Sequence, residues 1–452
     1  MPNISVIMPC LNVQEYIEKC LQSVLNQTMK DLEIIVIDAG STDGTLDILE
    51  VYCQRDSRIR LLHSDRKSYG YQMNLGIAAA VGDYIAIVET DDYVALDMME
   101  VLYKNIYLTN AAYIKGTGEG FFEKDGRYSK LFDVVPCREL RQKACVVCDP
   151  RQYAYLFISD NFLWNGLYRR DYLQGIHFNE TPGAAFQDIG VLFQILCKAP
   201  KGIYLNKLVY HYRQDNGGAS SYNSKGLNFV CIEYKALLPR LQGILPAWRK
   251  IYYQKMAGHT IDRFYFMIYG EFWAESTESI VWLQEHLREA LAKKILQEAD
   301  FSAQEWSELQ LFLQDPHQLF AVLKRKLMQY TAEARGYLQK FCGKNIFVFG
   351  CGQLGQQLQI FLSACGVDIR GFCDNSLAKQ ETIVNDFKVY LLDQALMTCP
   401  QAYFIVANKL HWEDIKGQLL HHGVDAENIF TAYDKIHMDL FVLRNLLSKN
   451  KG

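Results

Sequence analysis

Gly82-Asp-Tyr-Ile-Ala-Ile-Val-Glu-Thr-Asp-Asp-Tyr93 decides how the rest of the chain is read. The apolar run from Tyr84 to Val88 has the length and composition of a buried strand. It stops abruptly at Glu89, Thr90, Asp91 and Asp92. In an open parallel sheet, ligands collect at the carboxyl ends of the strands. Adjacent carboxylates at such an edge repel one another unless a cation lies between them. A hard divalent ion held by one or two carboxylates together with substrate phosphates meets that need. Two readings stand side by side: a metal–diphosphate site, or an Asp that caps a helix from Ala95 onward.

Upstream, Ile4–Met8 reads as a strand and Pro9-Cys10-Leu11-Asn12 as a turn. Asn12 is the predicted cap of a helix running to Leu25, with Glu15 completing the box. A second strand, Leu32–Ile37, ends in Asp38-Ala39-Gly40-Ser41-Thr42-Asp43-Gly44-Thr45. An Asp at a strand end suits pairing with a base imide or a ribose hydroxyl, and plain turn chemistry explains the same stretch. A third strand, Arg58–His63, leads through Tyr69-Gly70-Tyr71-Gln72-Met73-Asn74 into a helix that reaches Ala80. Strands alternating with helices predict an α/β fold with parallel pairing through right-handed crossovers. The Asp38 and Asp92 loops then open on one sheet edge, where a single nucleotide diphosphate bridges them.

The chain has 452 residues, too many for one ordinary core, and half of them are hydrophobic. A formal charge of -4, from 47 basic and 51 acidic residues, offers no electrostatic case for nucleic acid. The sequence opens directly on a strand-like run, which predicts no signal peptide, and no apolar run approaches the ~18 residues that span a bilayer. Thirteen scattered cysteines predict reduced thiols and a cytoplasmic location, with the inner membrane face as the alternative for a lipid-linked acceptor. Cys145 and Cys148 form a C-x-x-C, but with no second pair and no neighbouring His it makes a poor zinc site.

Val6-Ile-Met-Pro-Cys-Leu-Asn12, Leu25-Asn-Gln-Thr28, Glu33-Ile-Ile-Val-Ile-Asp38, Gly40-Ser-Thr-Asp-Gly-Thr45 and Glu89-Thr-Asp-Asp92 occur in this order. Together they resemble the inverting family 2 glycosyltransferases of GT-A fold, over roughly residues 3 to 220. The resemblance implies that Asp38 contacts the nucleotide base with Pro9 beside it, and that Asp43 and Asn74 line the donor. It implies that Asp91 and Asp92 form the D-x-D-like pair, with Asp92 the ligand of Mn²⁺ or Mg²⁺. Thr181-Pro-Gly-Ala-Ala-Phe-Gln-Asp188 is similar to the segment that carries the family's catalytic carboxylate. Leu208-Val-Tyr-His-Tyr-Arg213 and the following Gln214-Asp-Asn-Gly-Gly-Ala-Ser220 are similar to the tail that closes over the donor. Trp164-Asn-Gly-Leu-Tyr-Arg169 resembles the strand beside the acceptor, which implies acceptor contacts from Trp164 and Asn165. Leu11, Ala39 and Met73 depart from the family's Tyr, Asp and Arg. The implied donor is a UDP-sugar, and the acceptor a saccharide or lipid-linked hydroxyl in surface polysaccharide synthesis.

Inverting transfer needs a base within hydrogen-bond reach of the acceptor hydroxyl. Asp188 is the candidate, and an N-cap carboxylate for the helical run Ile189–Cys197 is the alternative. His211 and Arg213 either donate to the phosphates or are surface residues of a strand end.

From about Lys225 the pattern turns helical, with Ser302 and Glu305 making a capping box and Asp315-Pro316 a helix start. The aromatics Tyr252, Tyr253, Phe264, Tyr265, Phe266, Tyr269 and Phe272 read as core or as a homo-oligomer seam. A glycolipid platform making peripheral membrane contact is the other reading. At Lys344 a second parallel-sheet unit begins. Its strand Asn345–Phe349 runs into Gly350-Cys-Gly-Gln-Leu-Gly355, and Asp374 lies 19 residues past the last glycine. Gly350, Gly352, Gly355 and Asp374 predict either a nucleotide or NAD site at the helix N-terminus, or glycines kept for close packing. The domain division is 1–224 (GT-A), 225–340 (helical) and 341–452 (small Rossmann-like). The rival functions are a nucleotide-sugar-binding protein without turnover and an NAD-dependent sugar-modifying enzyme.

Overall fold

Ile4–Cys10 (β1) and Leu32–Asp38 (β2) are buried along their whole length, as strands covered on both faces must be. The computed structural model describes residues 2–124, 127–183, 185–216, 226–268 and 273–448. With Ile59–His63 (β3) and Tyr84–Ile87 (β4), these strands lie parallel in the order β3-β2-β1-β4. Cys10 sits opposite Asp38, and Asp38 opposite His63, so the carboxyl ends share one edge. Helix Tyr69–Ala79 lies so close on this sheet that a Cβ at Gly76 would meet Ile7 at 2.6 Å and Ile37 at 2.9 Å.

The sheet continues with Tyr93–Val94 (β5), Tyr113–Lys124 (β6), Arg127–Val134 (β7), Cys145–Cys148 (β8), Gly166–Arg169 (β9) and Gly202–Arg213 (β10). β9 runs antiparallel to β4 and β6, and β10 antiparallel to β5 and β8. The chain divides into two compact units. One holds the described residues up to Glu119 and Asp133–Phe320, the other Gly120–Phe132 and Ala321 onward. The helices between 226 and 320 therefore belong with the first sheet, while the predicted division set them apart from 225 to 340, with one boundary outside the described residues.

Of the aromatic stretch, Tyr252, Tyr253 and Phe264 belong to the core, while Tyr265 and Phe266 are half-buried. Tyr252 and Phe264 are buried, Tyr252 donating to the carbonyl of Tyr234 at 2.7 Å and Phe264 meeting Phe312 edge-on at 5.4 Å. Tyr269 and Phe272 lie outside the described residues. Ser302 and Glu305 form the predicted box, and Asp315 accepts from the N–H groups of His317 and Gln318. Among the described residues no helix is long and apolar enough to cross a membrane.

Two local expectations are corrected. Asn12 caps no helix; the first begins at Ile17, and Asn12, at φ 53°, accepts instead from the N–H of Thr42 at 2.8 Å. Nor do Asp91 and Asp92 cap one, because the next helix, Met98–Ile106, starts after Asp97.

In the second unit, Ile346–Phe349 (β11), Gly371–Cys373 (β12), Ile383–Val384 (β13), Phe387–Tyr390 (β14), Tyr403–Val406 (β15) and Ile429–Thr431 (β16) form a sheet ordered β13-β14-β12-β11-β15-β16. All pairs are parallel except β13 with β14. The sequence mark of that hairpin is the dipeptide Asn385-Asp386, which takes φ 49° and 62°, the geometry that two-residue turns demand. Their side chains accept from the N–H groups of Lys130 and Tyr128 in the same unit.

Glu33 locks the start of the first sheet, accepting from Ser5 Oγ, from the Val81 N–H at 2.7 Å and from Arg60 at 3.0 Å. Burial alone would raise its pKa, but these bonds hold it below the ordinary carboxylate range. Its contribution is therefore present at neutral pH and lost as the pH falls through that depressed value. Chemical denaturation of Glu33→Ala should show a loss of about 1–3 kcal/mol at pH 7, and a smaller loss at acid pH.

Candidate active site

The apolar core strand β4 delivers Glu89, Thr90, Asp91 and Asp92 to the same edge as the ends of β1 and β2. Thr90 Oγ1 donates to the carbonyl of Pro9 at 2.9 Å, joining the acid loop to the end of β1. Asp92, expected as the metal ligand, is 1% exposed. Its Oδ1 accepts from the N–H of Arg213 at 2.7 Å and its Oδ2 from Tyr210 Oη at 2.9 Å. Tyr210 Oη in turn accepts from the N–H of Glu89 at 3.0 Å. Asp92 is thus a strut tying the acid loop to β10, with both oxygens engaged and no face toward a ligand.

Asp91 is half-buried, and its Oδ2 accepts from the Asn216 amide at 2.8 Å. Glu89, also half-buried, accepts from Tyr69 Oη at 2.7 Å. Burial pushes the Glu89 carboxyl up to about 8 against that hydrogen bond, with Asp91 and Asp188 adding to it. Burial likewise raises Asp91, and Asp92 well above the usual carboxylate range. A cluster of carboxyls disfavoured in their charged forms is the donor chemistry a hard cation relieves. Among the described residues no three His, Cys, Asp or Glu side chains form a metal cage. An open Mg²⁺ or Mn²⁺ site needs only one or two carboxylates beside the substrate phosphates, and Asp91 fits that role where Asp92 does not.

Asp188 stands in the first turn of helix Gln187–Lys198, which follows Phe186 in a left-handed conformation (φ 68°). Its Oδ1 accepts from its neighbour's N–H, Ile189, at 2.9 Å, and the carboxyl stays half-buried. Burial pushes it up to about 6, with the Lys255 and Lys115 ammonium groups and the Ile189 N–H pulling the other way. Behind it, Lys115 donates to Asp160 and to the Phe162 carbonyl, and Lys255 donates to the Phe157 carbonyl. Both lysines are buried, and burial lowers Lys255 to about 7. Lys255 comes from the middle of helix Pro246–Met267, where nothing local in the sequence marks it. Tyr210 and Tyr69, also unpredicted, lay inside stretches already singled out and carried no mark beyond their type.

The remaining predicted site residues divide sharply. Asp38 is buried, and its carboxylate is filled by the N–H groups of Gly40 and Ser41, by Ser41 Oγ and by the Cys10 thiol. It shapes the loop after β2. Asp43 is exposed but accepts from the N–H groups of Gln14 and Thr45. Asn74 is engaged within the protein, its amide exchanging hydrogen bonds with the Phe178 backbone and donating to Glu180. His211 pairs with Glu119 at 2.8 Å and stacks on Tyr93 at 4.4 Å. Arg213 Nε donates to the Asp91 carbonyl at 2.9 Å, so it braces the acid loop.

Neither acceptor residue is open. Trp164 stacks on Tyr210 at 4.0 Å, and fully buried Asn165 donates to the Gly116 carbonyl at 2.9 Å. Of the three departures from the family pattern, Ala39 and Met73 are buried in the core and Leu11 is exposed. Residues 217–220 of the expected closing tail, and Ala184, lie outside the described residues.

In the second unit two glycines of the motif have a local structural reason, and Gly352, with nothing within 4 Å of a Cβ, has none. A Cβ at Gly355 would meet the Gly350 carbonyl oxygen at 1.8 Å, and Gly350 turns at φ 102°. Gly352 precedes helix Gln353–Ala364. Asp374, expected on a ribose, accepts from the Cys351 N–H at 3.1 Å, the Ser376 N–H at 3.0 Å and Lys379 at 3.2 Å. Its carboxylate is closed onto its own loop, which speaks against an NAD ribose contact.

Residues 5–176 match the family model described as Glycosyl transferase family 2. This segment is a family 2 glycosyltransferase domain. GlyG, a glycosyltransferase of Streptococcus pneumoniae serotype 4, is 29% identical over 222 residues, covering 47% of this chain and 71% of GlyG. GlyA of the same organism is 30% identical over 227 residues, covering 48% of this chain but 31% of GlyA. A cholesterol galactosyltransferase of Borreliella burgdorferi is 29% identical over 222 residues, covering 48% of this chain and 62% of that protein. The chain thus spans less than two thirds of the latter two. Among solved structures, S. aureus TarS 1–349 in complex with UDP-GlcNAc has a TM-score of 0.54 at 18% identity, covering 73% of this chain and 92% of that one. The likeness shows a shared GT-A fold.

Tyr210→Phe removes the hydroxyl shared by the Glu89 N–H and Asp92, leaving two buried polar groups without a partner. Denaturant unfolding should register a loss of about 1–3 kcal/mol.

Proposed function

We propose that the first unit transfers a sugar, with inversion, from a UDP-sugar to a hydroxyl of a saccharide or lipid-linked acceptor in surface polysaccharide synthesis. The observation that carries the reading is the meeting, on one sheet edge, of the acid loop with Asp188, a carboxyl held near 6. A base poised close to the working pH is what proton removal from an acceptor hydroxyl requires. The family of residues 5–176, and the UDP-GlcNAc bound by TarS of the same fold, support the donor class.

In this reading the loops after β1 and β2 cradle the nucleotide with their backbone groups, shaped by Asp38 and Asn12. Asp91, not Asp92, would hold a Mn²⁺ or Mg²⁺ ion, which supplies positive charge where the leaving diphosphate gains negative charge. Asp188 Oδ2, the oxygen not taken by Ile189, accepts the acceptor's proton. Tyr69 and Tyr210 hold Glu89 and Asp92 in place behind Asp91.

Sugar-nucleotide turnover with Mn²⁺ or Mg²⁺ tests the assignments. Asp188→Asn should lower kcat by roughly 10²–10⁴ without loss of stability, and full activity would remove Asp188 as the base. Asp91→Asn should abolish metal-stimulated turnover while Asp38 still shapes its loop. Because only the ionised carboxylate accepts a proton, kcat/KM in the wild type should fall as the pH drops through about 6.

A further inference from the structure

Helix Trp273–Ala292 ends in a turn that leads through Glu298–Asp300 into helix Ala303–Gln314. Between them lies an open depression of about 570 Å³, bordered by Leu291, Lys294, Leu296, Gln297, Trp306 and Gln310. Its lining contains none of the acids at the sheet edge. Trp306 is half-exposed, and Phe301 extends the aromatic surface, the two rings lying 5.9 Å apart and 30° from parallel. Such a surface takes the C–H face of a sugar ring, while amides around it take the hydroxyls. Gln297 supplies one amide: its side-chain oxygen caps the Glu298–Asp300 turn, leaving its N–H groups as donors. Gln310 supplies another, with no side-chain hydrogen bond among the described residues.

The depression is also rigid and charged. The Asp300 carbonyl accepts from Gln254 at 2.7 Å, and its carboxylate pairs with Lys250, so the far wall is pinned to helix Pro246–Met267. Lys294 closes the near wall at φ 55°, a helix-ending conformation that glycine adopts without strain and lysine does not. Lys293 beside it pairs with Glu289, whereas Lys294 makes no ion pair among the described residues. A strained, unpaired cation beside an exposed aromatic ring and two amides indicates a ligand with ring faces, hydroxyls and negative charge.

We propose that this depression binds an acidic saccharide, one bearing uronate or an equivalent anionic group. The site holds a sugar chain; it does not react with it. Its binding is read without donor or metal, so its failure is separable from failure of the transferase reading.

The test is saturation-transfer-difference NMR of hyaluronan tetrasaccharide with the full chain, beside the variants Trp306→Ala and Lys294→Gly. The tetrasaccharide should receive saturation from the wild type and bind roughly tenfold or more weakly to both variants. Lys294→Gly should at the same time raise Tm by about 2–4 °C, since glycine relieves the left-handed strain. No transfer to the tetrasaccharide in the wild type, or transfer unchanged in Lys294→Gly, overturns the proposal. Circular dichroism establishes that Trp306→Ala is folded, and Lys294→Gly decides the matter if it is not.

Discussion

The carboxylate of Asp92, bonded to Tyr210 Oη and to the Arg213 N–H, is the constraint on which the candidate site depends. It fastens the end of β4, which belongs to the parallel half of the sheet, to the end of β10 in the antiparallel half. The acid loop is fixed as well by Thr90 on the Pro9 carbonyl, by Tyr69 on Glu89 and by Arg213 Nε on the Asp91 carbonyl, but Asp92 is the member of the loop whose side chain is wholly spent on the tie. Burying a carboxyl is costly unless its lone pairs are filled, and here both oxygens have donors. The consequence is a division of labour between neighbours: Asp92 is consumed in positioning, and Asp91 is left open to chemistry.

A second constraint lies on the other side of the edge. Lys115 and Asp160 form a pair in which each side chain is 1% exposed, and Lys255 donates into the same region from the helical stretch. Removing one member of a buried ion pair leaves a desolvated charge, so such pairs resist drift once formed. Their positive charge opposes the burial of Asp188 and keeps its carboxyl near 6 when desolvation alone would carry it higher. The helices after residue 226 are therefore part of the first unit's electrostatics as well as of its packing.

The second unit resolves a motif that its spacing left ambiguous. Strand, glycine loop, helix and acidic residue all fall at the distances of a dinucleotide site, yet the carboxylate of Asp374 turns inward onto Cys351 and Ser376. Gly355 lets the helix cross within van der Waals distance of the Gly350 carbonyl. Close packing accounts for Gly355 and the left-handed turn for Gly350, while a Cβ at Gly352 would meet open space.

Hydrophobic runs and punctuation made the strands legible: Ile4–Met8, Leu32–Ile37 and Tyr84–Val88 each had to be buried, and each ended where a polar cluster began. The ordered motifs likewise marked the family of residues 5–176. What the sequence by itself could not determine was which atoms remain open at the sheet edge. Asp91 and Asp92 are chemically identical neighbours, and only β10, arriving from far along the chain, decides that both oxygens of Asp92 are filled while Asp91 gives one to Asn216. Asn74 and Asn165 are implied as ligand contacts by the family resemblance, and Asp374 by its spacing from the glycines. The tertiary structure gave each of them a protein partner instead, because a buried polar group takes the nearest donor or acceptor the fold supplies.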